Sequence, residues 1–148
     1  MPKITIKTPQ GAFDAPARAK LAQAVTDIAR TVERGGEDPR QAAFTWVLFE
    51  DFGPDRFFAG GVDPLARMLP VMIEFDYPQG VMDDAARSEA VRLLQAAFAA
   101  AAEGRAVATS VILREVVDGF WGGSGRIMRL PDLAAAAGYG HLQHLVVS

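Results

Sequence analysis

The sequence contains no cysteine. A disulfide framework, a thiolate metal site and a cysteine nucleophile are excluded with it. Charge of one sign is also missing. Fifteen Lys and Arg against 18 Asp and Glu leave a net charge of −3, with no basic excess to hold nucleic acid. No apolar run approaches the length of a membrane span; the longest stretch of small apolar residues lies around Ala96–Ala102. The opening MPKITIK has no apolar signal-peptide core. P-loop, dinucleotide fingerprint and nucleophile elbow are absent. The expectation is a soluble, cytoplasmic protein that uses no cofactor and binds neither nucleic acid nor membrane. What is present supports a packed core: half of the 148 residues are hydrophobic and 22% are charged.

The chain repeats itself. Residues 4–18 read ITIKTPQGAFDAPAR and residues 73–87 read IEFDYPQGVMDDAAR. Each copy has an alternating apolar strand, then Pro-Gln-Gly, then an aspartate placed to cap a helix, Asp14 or Asp83. The Pro-Gln-Gly itself is turn chemistry. Leu21, Ala24, Val25, Ile28, Ala29 and Val32 form one helical stripe, which predicts a helix over 15–34 ended by Gly35-Gly36. Ala90, Val91, Leu94, Ala97, Phe98 and Ala101 predict another over 84–103, ended by Gly104. Second strands follow at 45–51 and 110–116. Each then reaches an aromatic-glycine stretch, FFAGG at 57–61 and FWGGSG at 120–125.

The unit is therefore strand, helix, strand. The two strands flanking one helix should run parallel with a right-handed crossover. One copy of about 65 residues buries too little surface to stand alone. The expected fold class is α/β: a single domain in which two β-α-β repeats form one sheet, with two helices on one face. The repeats occupy 2–61 and 70–125, joined by a linker at 62–69, and a C-terminal extension covers 126–148. Pro131 and Gly138 bracket a short helix in that extension. Leu142–Val147 reads as a strand or an arm packed on another subunit.

Chemistry points to Pro2. If Met1 is trimmed, Pro2 carries a free secondary amine at the edge of a sheet. Burial disfavours the ammonium and lowers the pKa of such an amine. General-base catalysis is most efficient when that pKa lies near the working pH. A retained Met1 turns the same nitrogen into an amide with no basic lone pair.

Pro2, the strand–turn–helix–strand unit that follows, the aromatic-glycine stretch and the doubling over residues 2–125 together resemble the tautomerase superfamily. The likeness is to 4-oxalocrotonate tautomerase and to the two-repeat malonate semialdehyde decarboxylase, cis-3-chloroacrylic acid dehalogenase and macrophage migration inhibitory factor groups. The resemblance implies a homotrimer and a catalytic amino-terminal proline, which falls on Pro2. The pocket-closing aromatic of the family falls on Phe57 or Phe58. The family's arginines would fall on Ala12, near Thr45, and near Pro78 and Gly80, and none is present. Their absence speaks against dehalogenase and decarboxylase activity, because such arginines hold carboxylates through paired hydrogen bonds.

Arg126 and Arg129, just after GGSG, are candidates to bind a substrate carboxylate or enolate, with a surface or inter-subunit ion pair as the plain alternative. Trp121 is a candidate wall of the proline pocket. Tyr77 and Tyr139 have hydroxyls able to donate to an enolate, though most tyrosines serve no such role. His141 and His144 lack the neighbours that would complete a metal site, so no metal is expected. The leading expectation is a tautomerase or isomerase that moves a proton in a small enol or α-keto acid. The alternatives are a decarboxylase or hydratase with a cationic proline, and a non-catalytic trimeric ligand binder.

Overall fold

The computed structural model describes residues 1–147; Ser148, the end of the C-terminal extension, lies outside them. The elements along the chain are β1 (Lys3–Pro9), α1 (Ala15–Val32), a short α2 (Pro39–Ala42), β2 (Trp46–Phe52) and β3 (Leu69–Pro78). Then come α3 (Asp84–Ala101), β4 (Val107–Val116), the short strands β5 (Trp121–Gly123) and β6 (Arg126–Met128), and α4 (Leu130–Ala137). A 3-10 helix over Gly140–Leu145 closes the described chain.

Asp14 and Asp83 cap their helices as their positions require. The Asp14 carboxylate accepts from the Ala17 amide at 2.9 Å and Asp83 from the Ala86 amide at 2.8 Å. Both long helices stop slightly before the glycines that follow. Arg34 and Glu103 already take positive φ, so each helix is unwound one residue ahead of its first glycine.

The sheet order is β2-β1-β3-β4. The β1–β2 and β3–β4 pairs are parallel, within each repeat, and β1–β3 is antiparallel, between repeats. The repeats therefore meet along their first strands, and the two helices pack side by side on the sheet. Strand alternation sets the two faces. Ile4, Ile6, Val71, Ile73, Phe75 and Tyr77 point into the helices and are fully buried. Their alternates Lys3, Thr5, Glu74, Asp76 and Arg114 face out, with Arg114 paired to Asp76 at 2.6 Å. Trp46, Leu48 and Ile112 on the outer two strands leave apolar side chains on this open face, each more than half exposed.

The extension differs from expectation at its end. Leu142–Val147 forms no strand. Gly138 turns the chain at φ +69, and the Leu142 amide bonds back to the Tyr139 carbonyl at 3.0 Å. The Gln143 amide group ties Ala134 and Tyr139 carbonyls at 3.0 Å each. These local bonds wind the segment into a 3-10 turn and leave no free edge for pairing. The aromatic-glycine stretch at 120–125 also gains structure that periodicity did not show, the β5–β6 hairpin. No helix among the described residues is long and apolar enough to cross a membrane.

Candidate functional site around the chain start

The site grows from the first residue of β1. Pro2 is buried, and its carbonyl accepts from the Trp46 amide at 3.0 Å, which fixes the start of β1 beside β2. A cavity of about 240 Å³ opens there. Its walls are Met1, Pro2 and Lys3, the Ala43–Phe44 turn with Trp46, and Trp121 with the Gly122–Ser124 bend. Phe44, Trp46 and Trp121 are its aromatic walls. Lys3 is the only cation among them, and its Nζ lies 5.8 Å over the Trp46 ring.

Behind Met1 lie two buried polar side chains. The Met1 amine donates to the Tyr139 hydroxyl and lies 3.9 Å from Glu33 Oε2. The Tyr139 hydroxyl donates to the same Oε2 at 3.4 Å. Glu33 is 2% exposed, and Tyr139 is fully buried. Glu33 Oε1 has no hydrogen-bond partner.

Burial decides the charge of this group. Desolvation pulls the Met1 amine from 8.0 down to about 6, against the opposing pull of Glu33. Desolvation pushes the Glu33 carboxyl from 4.5 up to about 7, against the opposing pull of the amine. Burial thus disfavours the charged form of both partners, and their 3.9 Å separation is long for a tight ion pair.

The structure brings Trp121 to the cavity, where it is 7% exposed. It does not bring the other expected residues there within one chain. Phe57 stacks on Phe52 at 5.6 Å. Phe52 pairs with Pro9, at the far end of β1 from Pro2. Seven strand residues separate those ends, roughly 20 Å. Phe58 is exposed at that same end. Arg126 pairs through its backbone with Gly123, but its guanidinium turns outward to Asp132 at 3.9 Å. Arg129 occupies the N-cap of α4, and its guanidinium reaches Asp118 at 3.8 Å. Hairpin and cap geometry place both guanidinium groups on the surface. His141 Nε2 lies 2.9 Å from the Val81 carbonyl. Where the resemblance would put an arginine, at Ala12, a guanidinium does arrive from elsewhere: Arg105 donates to the Ala12 carbonyl at 2.9 Å.

Sequence reasoning missed Glu33 and set Tyr139 aside. A signal for Glu33 was there. The buried side chains of α1 run Leu21, Val25, Ala29 at four-residue steps, and the next step is Glu33. A carboxyl on an apolar stripe asks for an explanation. Tyr139 carries no such signal, because its burial depends on where the extension lands.

No protein-family model matches the chain, and no curated protein matches it. Solved structures do. A member of the cis-3-chloroacrylic acid dehalogenase (cis-CaaD) family superposes with a TM-score of 0.69 at 15% identity, covering 85% of this chain and 82% of that one. A fused 4-OT wild-type asymmetric trimer superposes with a TM-score of 0.68 at 16% identity, covering 84% and 94%. The protein Pt0534, solved after inactivation by 2-oxo-3-pentynoate, gives 0.69 at 16% identity, with 84% and 94% covered. With its β2-β1-β3-β4 sheet, helices packed on that sheet, and Pro2 at the first strand's start, the chain has the fold of the tautomerase superfamily.

Proposed function

We propose that this protein is a cofactor-independent isomerase that moves a proton in a small enol or α-keto acid. Its general base is the Pro2 nitrogen, freed by removal of Met1. One observation carries the reading: Pro2 is buried on the wall of a 240 Å³ cavity, and burial lowers the Met1 amine, one residue before it, from 8.0 to about 6. Pro2 is itself buried, and a secondary amine there meets the same desolvation. An amine of that kind is unprotonated at neutral pH and matched to proton abstraction.

The aromatic walls favour a substrate with an aromatic or otherwise flat apolar body. Trp121 closes one side. A homotrimer is proposed as well, since trimers occur among the fold's solved members. The open sheet face with Trp46, Leu48 and Ile112 offers it a surface. In such an assembly, Phe57, Phe58, Arg126 and Arg129 can reach a cavity only across the junction between copies.

The test is ketonisation of phenylenolpyruvate by mass-verified Met1-free protein and by its Pro2→Ala variant. General acid–base catalysis contributes about 10²–10⁴-fold, so the variant should lose about that much in kcat/KM. Equal rates remove Pro2 from the mechanism. A second reading, a non-catalytic ligand binder, is favoured by the seat that Met1 itself occupies against Tyr139 and Glu33. Intact mass of the protein from its own host separates the two: a retained Met1 refutes the catalytic reading.

A further inference from the structure

We propose that Glu33 is a second catalytic residue of the Pro2 cavity: its carboxylic acid delivers the proton that goes to carbon, and Tyr139 is its positioning residue. The inference rests on Pro2 being the base.

The site continues an apolar series, Leu21, Val25 and Ala29, yet it holds a carboxyl whose neighbours are the Tyr139 hydroxyl and the Met1 amine. Glu33 is buried, yet among the described residues it has no arginine or lysine partner within ion-pair range. Three elements face it. The start of β1 brings the Met1 amine, the turn after α4 brings the Tyr139 hydroxyl, and α1 carries Glu33 itself. His141, whose ring lies 6.4 Å from that of Tyr139, turns its Nε2 to the Val81 carbonyl. The Oε1 atom is left with no partner in the chain, which is uncommon for a buried oxygen.

Met1 stands between the Glu33 carboxyl and the cavity. Its amine is the group that Tyr139 and Glu33 hold, while its side-chain end lies near Gly123 on the cavity wall. Loss of Met1 removes both. The vacated space joins the cavity to Glu33 and Tyr139, and the new amine at Pro2 sits one backbone step away, roughly 3 Å. Burial in this corner of the fold disfavours the charged form of both the carboxyl and the amine, and the uncharged forms are the ones that the reaction uses.

The proton count closes. The enol O–H bond breaks and its proton joins the Pro2 nitrogen. The electrons of that bond form the carbonyl. The C=C pair takes the proton of Glu33, so a C–H bond forms as the carboxyl O–H breaks. Pro2 is then an ammonium and Glu33 a carboxylate. Return of one proton across the gap restores both.

The test uses Met1-free protein with three probes. The first is covalent labelling of Pro2 by 2-oxo-3-pentynoate, read by mass. The second is phenylenolpyruvate ketonisation across pH, and the third is a ¹³C titration of the Glu33 carboxyl. Glu33→Gln should still label at Pro2 while kcat falls about 100-fold, KM stays within about threefold, and the kcat limb near pH 7 disappears. Tyr139→Phe should move that limb, and Glu33→Asp should restore part of the rate. A labelled Glu33→Gln protein with unchanged kcat and pH profile overturns the role of Glu33 and leaves Pro2 standing. An unlabelled parent protein with Pro2→Ala equal to it overturns the Pro2 reading instead, and this inference with it. If Glu33→Gln fails to fold, or no ketonisation is seen, the titration decides. A carboxyl that loses its proton below pH 5 refutes the proposal, and one that does so near 7 supports it.

Discussion

Replacing Glu33 by glutamine should stabilise the protein, and increasingly so as pH rises. Glutamine keeps the size of the side chain and an oxygen to accept from Tyr139, but it cannot ionise. In the fold the Glu33 carboxyl sits at about 7, above its ordinary 4.5. A carboxyl raised in this way contributes stability that is fully present below pH 4.5 and is lost as pH climbs through 7. The lift from 4.5 to about 7 corresponds to about 3 kcal/mol once the carboxyl is ionised in both folded and unfolded chains. The Met1 amine acts in the other direction. Its native pKa lies below the free value, so its contribution improves as pH rises from 6 to 8. The desolvation behind that effect is shared by both proteins, and the variant loses only the smaller upward pull of Glu33 on the amine. Urea unfolding of parent and variant at pH 4, 6, 7.5 and 9 therefore gives a gap that widens by about 3 kcal/mol across the series. In thermal melts the same gap is about 6–12 °C for a chain of this size. A gap that stays flat within about 0.5 kcal/mol refutes the reasoning. So does a gap of opposite sign, which is what a carboxylate held by an ion pair would give.

Other outcomes follow from the same coordinates. Asp14→Ala and Asp83→Ala each remove a side-chain cap and should each lower unfolding free energy by about 1 kcal/mol in denaturant titrations. Because the two caps sit on separate helices, the double variant should lose about the sum. Phe98→Ala, at a fully buried ring packed edge-on against Phe13, should lose about 3–5 kcal/mol in the same assay. Trp46→Lys combined with Leu48→Glu should leave the fold intact by circular dichroism and sediment as a monomer where the parent protein sediments as the proposed trimer. An unchanged sedimentation coefficient removes the open sheet face from the assembly.

Much of the fold was legible because it is local. Alternation of Ile4 and Ile6, and of Ile73 and Phe75, marks strands with one buried face. The four-residue steps in both helices mark their inner stripes, and Asp14 and Asp83 mark where the helices start. The doubled Pro-Gln-Gly reported two similar units, and parallel pairing within each unit follows from a helix joining its strands. The strand alternative for Leu142–Val147 failed because an apolar composition fits strand and 3-10 turn alike. The choice fell to Gly138 and to the hydrogen bonds of Gln143.

The site was less legible. The sequence alone determined that Pro2 would stand at a strand start, and that Trp121 lies in a glycine-bounded bend. Only the tertiary structure decided what the Met1 amine beside Pro2 meets. Met1 and Tyr139 touch across 138 positions, and Tyr139 and Glu33 across 106. No periodicity reaches that far. Likewise, Phe57 and Phe58 follow β2 closely in sequence, yet the parallel register of β2 on β1 carries them to the end of the sheet opposite Pro2. Hydrophobic pattern tells each segment which face to bury. Which polar groups then share a dry space depends on how the buried faces of distant segments close over one another.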